Sequence, residues 1–355
     1  MNQKKVAVLF GGVSSEHEVS RLTAASVLRN LDRTLWEPVP VGITRDGRWL
    51  LYRGPVEAIP DGSWENDPGC LPAVLSPDRG HRGLLTETGE RVEIDVIFPA
   101  LHGKNGEDGS IQGLAALAGI PCVGCGVLSS ALCMDKDAAK VVLTAHGIPN
   151  ARWLTVRLED RDDGALAEKI AGDSGLGWPV FVKPARAGSS VGVSRVEGPD
   201  SLSDALDIAF REDRKVIVEE AIRGAEVECA VIGNFTDLFA APSLGEIVPK
   251  RGLYDYEGKY LDGSTDLYIP ARIPEEQAEA IGQTALEAYR ALGCTGLARV
   301  DFFALPDGGH ILNEINTLPG FTNISMYPKL MTASGMSYPE LLTRLIRLAL
   351  ELSDT

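Results

Sequence analysis

The stretch ARVDFFALPDGGHILNEIN, residues 298–316, carries four polar side chains inside two runs that are otherwise apolar. Arg299 and Asp301 stand two residues apart in the first run, and Glu314 and Asn316 stand two residues apart in the second. Because alternate residues of a strand point to the same face, each pair shares one face of its strand. The spacing therefore predicts two strands with a polar face, a costly pattern unless that face has a chemical role.

The dipeptide DG at positions 307–308 is typical of a hairpin turn between the two runs. A hairpin centred on it sets Asp301 opposite Glu314 and Arg299 opposite Asn316. The preceding proline would lose a ladder bond in a two-residue loop, but a loop with one more residue on each side keeps the same partners. A three-residue loop would break this register.

Two facing carboxylates repel each other unless a cation lies between them. Asn316 adds an amide oxygen, which hard divalent cations accept as a ligand. We therefore predict a Mg²⁺ site formed by Asp301, Glu314 and Asn316. The alternative is a solvated sheet face on which Arg299 and Asp301 form an ordinary ion pair.

Length and charge limit the classes of protein that need to be considered. A chain of 355 residues allows two or three domains, and its formal net charge of -16 argues against nucleic-acid binding, which needs a basic surface. No run approaches the ~18 consecutive apolar residues of a membrane span. The apolar start breaks at Gly11 before a signal-peptide core could form. We expect a cytoplasmic protein with no nucleic-acid or membrane partner.

The order of the predicted elements indicates three domains, with a mixed α/β and α+β fold. Residues 1–130 begin with a strand, a glycine turn and a helix from position 21, and a second such unit follows, which predicts a small parallel sheet decorated by hairpins and loops over 46–90. Residues 131–222 read as strand, loop, strand, helix and strand, and residues 223–355 as a further strand set with the polar hairpin. The helices expected in the last two domains cover residues 202–210, 275–292 and 338–352.

The segment KPARAGSSVG, residues 183–192, places a lysine and two serines in a loop between two strands. Backbone N–H groups and the hydroxyls of Ser189 and Ser190 can hold phosphate oxygens there, and Lys183 adds a positive charge. The spacing differs from that of a P-loop. Lys136 is a second candidate phosphate ligand, although a Gly/Ser hairpin loop and a solvated helical lysine are common alternatives.

The segment VEEAIRGAEVE, residues 218–228, can supply an adenine site. The backbone near Ile222 would contact the base edge, and Glu219 or Glu226 would accept hydrogen bonds from the sugar or the amino group; an acidic surface is the alternative. Near the amino terminus, Glu16 follows a glycine pair, where a carboxylate can hold an amine or simply favour a helix start. The glycine spacing does not match a dinucleotide-binding fold.

Eight segments, taken in this order, resemble the ATP-grasp superfamily and, within it, the D-alanine:D-alanine ligase family. They are LFGGVSSEHEVS, FPALHGKNGEDGSIQG, SALCMDKDAAK, VKPARAGSSVGVSRV, VIVEEAIRGAEVE, YDYEGKY, GLARVDFF and LNEINTLPGFTNISMYP. The resemblance implies a three-domain ATP-grasp architecture and a homodimer formed through the amino-terminal domain. It also implies that ATP phosphorylates the carboxylate of one D-alanine and that the amine of a second attacks the acyl phosphate, giving D-alanyl-D-alanine for peptidoglycan.

The resemblance assigns roles to individual residues. Glu16 would hold the first ammonium in a triad with Ser189 and Tyr260, and His102 would lie beside the first substrate. Arg299 and the N–H of Gly320 would form an oxyanion hole. The remaining roles are second-substrate binding by Ser325 and Met326, ATP binding by Lys136, Lys183, Ser190, Glu219, Ile222, Glu226 and Lys259, and binding of two Mg²⁺ ions, replaceable by Mn²⁺, by Asp301, Glu314 and Asn316.

Two loops, residues 185–192 and 252–264, are interpreted as lids that exclude water from the acyl phosphate. The second substrate is less constrained, because parts of the chain also resemble vancomycin-resistance ligases that make D-Ala-D-Ser. Those enzymes tend to carry Arg where this chain has Met326, and an apolar side chain offers no hydrogen bond to a hydroxyl. We therefore expect D-alanine, with D-serine as the alternative. Rival classes are a non-catalytic binding protein on the same fold and a dinucleotide oxidoreductase.

Overall fold

The computed structural model describes residues 3–161, 163–172, 175–249, 265–322 and 324–352, which form three β-sheets with helices packed on them. The strands are β1 Lys4–Gly11, β2 Trp36–Ile43, β3 Trp49–Leu51, β4 Leu71–Leu75, β5 Gly83–Thr86, β6 Arg91–Glu93, β7 Val96–Pro99, β8 Trp153–Arg157, β9 Val180–Pro184, β10 Ser194–Val196, β11 Lys215–Glu220, β12 Ala225–Asn234, β13 Asp237–Ala240, β14 Gly245–Pro249, β15 Thr265–Tyr268, β16 Gly296–Ala304 and β17 His310–Asn316. The helices are α1 His17–Asn30, α2 Ala58–Asp61, α3 Ser110–Ala118, α4 Val127–Met134, α5 Lys136–Ala145, α6 Leu166–Ala171, α7 Leu202–Phe210, α8 Glu275–Ala291, α9 Met326–Ala333 and α10 Tyr338–Glu351.

The first sheet has seven strands in the order β6-β5-β4-β3-β2-β1-β7. Only the pairs of β1 with β2 and β7 are parallel, and the strands from β2 to β6 pair antiparallel. The prediction that residues 46–90 decorate a small parallel sheet was therefore wrong, because this region supplies three strands of the sheet itself. Short strands with few alternating residues carry too little periodicity to be recognised.

Helix α1 begins at His17, four residues before the predicted start. The polar sequence SEHEVS, residues 15–20, is typical of a turn, but its side chains form hydrogen bonds inside the fold. Ser20 Oγ accepts a hydrogen bond of 2.8 Å from the N–H of Gly11 and donates one of 2.6 Å to the carbonyl of Ala100. These bonds join the start of the helix, which directly follows Glu16, to the ends of two strands.

The second sheet has four antiparallel strands in the order β10-β9-β11-β8. One face is apolar and is covered by α6 and α7, where Val180, Val182, Val216 and Val218 pack against Leu206 and its neighbours. The helix predicted over 202–210 is confirmed at both ends.

The third sheet is antiparallel, in the order β15-β14-β12-β16-β17, with β13 also paired to β12. Helix α8 covers one face with Ile281, Ala285, Ala288 and Tyr289. Helices α8 and α10 confirm the predicted 275–292 and 338–352, each ending one residue early. The predicted α/β and α+β fold is confirmed, whereas the domain boundaries at 130 and 222 stay predictions.

Helix α10 packs against the first sheet although it follows the third in sequence. Its residues share a core with β1 and α1, and Tyr338 OH lies 3.1 Å from Ser26 Oγ. Trp36 Nε1 donates a hydrogen bond of 3.2 Å to Thr343 Oγ1. The carboxyl-terminal helix therefore joins the first and third sheets and fixes one side of the cleft between them. No helix among the described residues is long and apolar enough to cross a membrane.

The hairpin of β16 and β17 has the predicted partners, with Asp301 opposite Glu314 and Arg299 opposite Asn316. Its loop, however, is the three-residue kind, because Leu305 N–H donates to Gly309 O at 2.8 Å and the loop lies between them. The expectation that such a loop breaks the register was wrong. A β-bulge restores the register, since Phe302 pairs with Leu312 and Asn313 is an extra residue opposite Asp301.

Candidate active site

Two adjoining cavities, of about 460 and about 140 Å³, lie between the three sheets. Both are lined by Lys136, Ser189 and Glu314, so the two spaces meet at these side chains. The larger is also lined by Glu16, His102, Arg299, Asn316, Gly320, Ser325 and Met326. The smaller is also lined by Lys183, Ser190, Glu219, Ile222, Glu226 and Asp301.

The structure thus brings together every site residue predicted from the sequence that it describes. The predicted substrate residues line the larger cavity, and the predicted ATP residues line the smaller one. Lys259 and Tyr260 lie outside the described residues, as does the predicted lid over 252–264.

The polar face of the hairpin lies in the cleft and is not a solvated surface. The side chains of Arg299 and Asp301 are 13% and 14% exposed. Arg299 donates to both oxygens of Asp301, at 2.8 and 2.7 Å, and its Nε also lies 3.1 Å from Glu228 Oε1. The ion pair of Arg299 with Asp301, predicted by the alternative interpretation, is therefore present. So are the facing carboxylates of Asp301 and Glu314. Arg299 lies between two acids and points into the larger cavity.

No group of three or more His, Cys, Asp or Glu side chains in the described part of the chain is arranged as a metal site. The predicted Mg²⁺ ligands do not have that composition, because they are two carboxylates and one amide. The cross-strand pairing of Asp301 with Glu314 sets both acids on one face of the hairpin. Hard oxygen ligands on one face suit Mg²⁺, provided that Arg299 yields one of its bonds to Asp301.

Helix α5 starts at the cleft because Asp135 is its N-cap and accepts a hydrogen bond of 3.1 Å from the N–H of Ala138. Lys136 is consequently the first helical residue. Its Nζ donates a hydrogen bond of 2.7 Å to the carbonyl of Ala187 in the loop of the second sheet. Burial lowers the pKa of Lys136, and the nearby carboxylate of Glu314 opposes part of that change.

The loop after β9 brings Ser189 and Ser190 to the junction of the cavities in strained conformations. Both have positive φ, 48° and 59°, which L-residues rarely adopt. Ser189 Oγ donates a hydrogen bond of 2.6 Å to Glu16 Oε1. At the base of the loop, Arg186 donates to both oxygens of Asp213, at 3.0 and 2.7 Å. The loop is therefore fixed at its base and at its tip.

The carboxylate of Glu16 lies in a space that only glycines leave open. A Cβ at Gly103 would come within 2.6 Å of Glu16 Oε2, and one at Gly188 within 3.1 Å. Beside it, His102 is buried, and its Nε2 is 2.8 Å from Thr23 Oγ1 while its Nδ1 is 3.5 Å from Glu107 Oε1. These contacts fix the imidazole at the wall of the larger cavity.

The far end of the larger cavity is formed by the start of α9. A Cβ at Gly320 would meet Ser325 Oγ at 2.8 Å, so the Gly320 backbone and the hydroxyl face each other closely. Met326 is buried, and a Cβ at Gly245 would lie 2.3 Å from its sulfur. The thioether is therefore packed directly on the backbone of β14 and gives this end an apolar wall.

Three further residues, two in the site and one behind it, were not found from the sequence. Glu228 binds Arg299 and is 4% exposed, and it stands two residues after Glu226 in an apolar strand, the same signal that identified Asp301. Lys329 lines the larger cavity one helical turn after Ser325. A buried lysine of α5, Lys140, contacts Glu219 and had no such signal, because a lysine at helical spacing is ordinarily solvated.

The three sheets and the cleft between them define the class as an ATP-grasp fold. The D-ala D-ala ligase N-terminus model matches residues 5–125, and the D-ala D-ala ligase C-terminus model matches residues 142–347. The chain belongs to the D-alanine–D-alanine ligase family. The resemblance stated from the eight segments is thereby confirmed.

Known relatives match over the whole chain. A D-alanine–D-alanine ligase from Acetivibrio thermocellus is 47% identical, over 99% of this chain and 96% of that protein. The crystal structure of VanG D-Ala:D-Ser ligase from Enterococcus faecalis has a TM-score of 0.89 at 42% identity, covering 98% of this chain and 100% of that one. D-alanine–D-alanine ligase from Bacillus anthracis complexed with ATP has a TM-score of 0.74 at 30% identity, covering 100% and 99%.

Proposed function

We propose that the protein is an ATP-dependent ligase that joins two D-alanines to D-alanyl-D-alanine through an acyl phosphate, for peptidoglycan synthesis. The observation that carries this is the meeting of two cavities at Lys136, Ser189 and Glu314. One cavity has the residues that we propose bind an amino acid, and the other has those that we propose bind a nucleotide. A carboxylate and a γ-phosphate bound in them would meet at this junction.

The first step is the attack of a carboxylate oxygen of the first D-alanine on the γ-phosphorus of ATP, with ADP leaving. Two anions approach each other, so nearby positive charge lowers the barrier. Lys136 and Lys183 supply it from the described residues, and Lys259 is proposed to join them. Glu16 binds the ammonium of the first substrate, and its bond to Ser189 sets the carboxylate of Glu16 in place; Tyr260 is proposed as the third member of this triad.

The second step is the attack of the neutral amine of the second D-alanine on the acyl carbon. The carbonyl oxygen becomes an oxyanion, which Arg299 and the N–H of Gly320 stabilise before phosphate leaves. Ser325 binds the carboxylate of the second substrate, and His102 orients the first. The products are the dipeptide, ADP, phosphate and a proton.

Asp301, Glu314 and Asn316 would hold Mg²⁺, two ions in all, and Mn²⁺ can replace them. When bound, the metal neutralises phosphate oxygens and supports phosphoryl transfer. The proposed ligand set is supported by the hairpin register, which pairs Asp301 with Glu314 and has Asn316 two residues further along β17. Arg299 is shared between this face and the oxyanion hole.

D-alanine is proposed as the second substrate, with D-serine as the alternative. Met326 lies against Gly245 and presents carbon and sulfur atoms to the end of the cavity, so a substrate hydroxyl would lose its hydrogen bonds to water without replacement. Ligation at similar kcat/KM for both amino acids would contradict this role of Met326.

We also propose a homodimer, formed through the amino-terminal sheet and its helices, and a cytoplasmic location, where ATP is available. The dimer is supported by three exposed apolar residues at the end of α3 and the start of α4, Leu117, Val127 and Leu128, which are 64%, 46% and 78% exposed. Sedimentation velocity on the wild type and on Leu128→Glu checks it. A monomeric wild type would refute the dimer.

The ligase activity is tested with purified protein, Mg²⁺, ATP and D-alanine. We expect ADP, phosphate and dipeptide in equal amounts, measured by coupled assay and mass spectrometry. Glu314→Gln should lower kcat by at least about 100-fold, as expected for loss of electrostatic stabilisation, while Glu279→Gln on the exposed face of α8 should not change it. ADP formation without dipeptide, or no turnover, would overturn the proposed function.

A further inference from the structure

Glu219 in β11 lies between two lysines that contact different oxygens of its carboxylate. Lys183 Nζ is 3.3 Å from Oε1, and Lys140 Nζ is 3.5 Å from Oε2. Glu219 is only 2% exposed, so water cannot replace either cation effectively. The carboxylate is thus neutralised from both ends, by one lysine on the cavity wall and one behind it.

Lys140 has no direct access to a ligand in either cavity. It is 2% exposed and lines neither cavity. Its Nζ donates a hydrogen bond of 3.0 Å to the carbonyl of Ala151 and lies 5.5 Å from the centre of the Trp153 ring. Burial lowers the pKa of Lys140, and Glu219 is the main group that opposes this change. The lysine is held in place by the fold, and Glu219 is the carboxylate with which it forms an ion pair.

Lys183 is in a different position, because it lines the smaller cavity. Contact with a phosphate would divide the single positive charge of Lys183 between that phosphate and Glu219. If Lys183 turns to an anionic ligand, a buried carboxylate loses one of its two cations, which is costly unless another remains. The other charged groups that line the smaller cavity are Lys136 from α5, Glu220 from β11, Glu226 and Glu228 from β12, Asp301 from β16 and Glu314 from β17.

We infer that Lys140 is a positioning residue for the nucleotide site: it holds the carboxylate of Glu219 in place while Lys183 turns from Glu219 to the phosphates. This inference rests on the proposed binding of ATP in the smaller cavity. Lys140 touches neither nucleotide nor amino acid, and its effect passes through Glu219. It should therefore act on nucleotide affinity much more than on the chemical step.

The test is a double-mutant cycle of Lys140→Met and Glu219→Gln, read out as the Kd for a non-hydrolysable ATP analogue with Mg²⁺ by calorimetry. We expect Lys140→Met to raise this Kd at least about 10-fold, or 1.4 kcal/mol. In the Glu219→Gln background the same change should alter Kd less than about 3-fold, because no buried carboxylate then needs a cation. At saturating ATP, Lys140→Met should keep kcat within about 3-fold while KM for ATP rises.

Lys215→Met is the matched control, because Lys215 is half-buried and also forms ion pairs, 2.6 Å from Asp135 and 3.2 Å from Asp137, and lines neither cavity. It should leave nucleotide affinity unchanged. Equal losses of affinity from Lys140→Met in both backgrounds, or no loss in either, would overturn the inference. If Lys140→Met does not fold, the Kd of Glu219→Gln is compared with the Kd of the double variant. A higher Kd for the double variant would overturn the inference. A wild type that fails to bind the analogue would instead overturn the proposed function.

Discussion

Ser189 Oγ donates a hydrogen bond of 2.6 Å to Glu16 Oε1 across 173 residues of sequence. This bond joins the loop of the second sheet to the start of the first helix. It crosses the junction of the two cavities, so it couples loop position to the group proposed to hold the first substrate's ammonium.

Replacing Ser189 by Ala should lower kcat/KM for D-alanine by about 10- to 100-fold, because a hydrogen bond to a charged group contributes about 1.5–3 kcal/mol. Binding of the ATP analogue should change much less, since the bond positions Glu16. Steady-state phosphate release with D-alanine varied measures the first quantity, and calorimetry measures the second. Ser203→Ala, on the exposed face of α7, is the control. Equal activity of wild type and Ser189→Ala would contradict this role.

Lys136→Met should abolish activity yet stabilise the protein at neutral pH. The pKa of Lys136 is lowered by burial, so the unfolded chain binds the proton more tightly than the folded one. The free energy of unfolding of the wild type should therefore rise with pH from the lowered folded-state pKa towards the ordinary lysine value of about 10.4. The stability advantage of Lys136→Met should shrink over that range.

Urea unfolding of both proteins between pH 7 and pH 10 measures the effect. Lys140 also has a lowered pKa, but it is present in both proteins and cancels in the difference. If the difference in free energy of unfolding between the two proteins is constant from pH 7 to pH 10, the charge of Lys136 does not destabilise the wild type.

Glu246→Gln should destabilise the fold at pH 7 by about 2 kcal/mol, because Glu246 is buried and accepts two side-chain bonds from Arg272, at 2.8 and 2.9 Å. The hydrogen bond from Arg272 is the largest factor that lowers the pKa of Glu246. The stabilisation is thus present above the unfolded value of about 4.3 and is lost as pH falls through the lowered folded-state pKa.

The difference between wild type and Glu246→Gln in chemical denaturation should accordingly vanish under strongly acidic conditions. Glu90→Gln is a suitable comparison, because its partner Arg53 and Glu90 itself are about half exposed. That change should cost at most about 1 kcal/mol. If both variants lose similar free energies of unfolding, burial does not explain the stabilisation by the Glu246–Arg272 pair.

Gly245→Ala should displace Met326 and weaken use of the second substrate. The added Cβ would lie 2.3 Å from the Met326 sulfur, so the thioether must move into the cavity. We expect a higher KM for the second D-alanine. Met326→Ala in the Gly245→Ala background should relieve the clash and restore thermal stability. If Gly245→Ala leaves the KM for the second D-alanine unchanged, Met326 does not contribute to binding that substrate.

The sequence predicted best where periodicity and chemistry agreed. Arg299, Asp301, Glu314 and Asn316 could be paired correctly because a polar residue repeated every second position in an apolar strand has few explanations. Helix α7 could be bounded from its apolar spacing alone. The Mg²⁺ role of Asp301, Glu314 and Asn316 was predicted from the same pattern, whereas the oxyanion-hole role of Arg299 came only with the family resemblance.

What could not be predicted depended on contacts between distant segments. Strands β3 to β5 are short and gain their order from pairing with neighbours, which no local pattern reveals. The start of α1 depends on Ser20 reaching Ala100, and the role of Lys140 depends on a carboxylate 79 residues away in sequence. Such contacts exist only in the folded chain.

Because of the extra residue Asn313, the pairing of Asp301 with Glu314 does not depend on the length of the turn alone. One residue gained in the turn and one lost at the bulge would cancel, leaving Asp301 and Glu314 aligned. A turn lengthened by one residue, with Asn313 removed, would therefore keep the two carboxylates paired, so this end of the molecule tolerates a change of turn length by design.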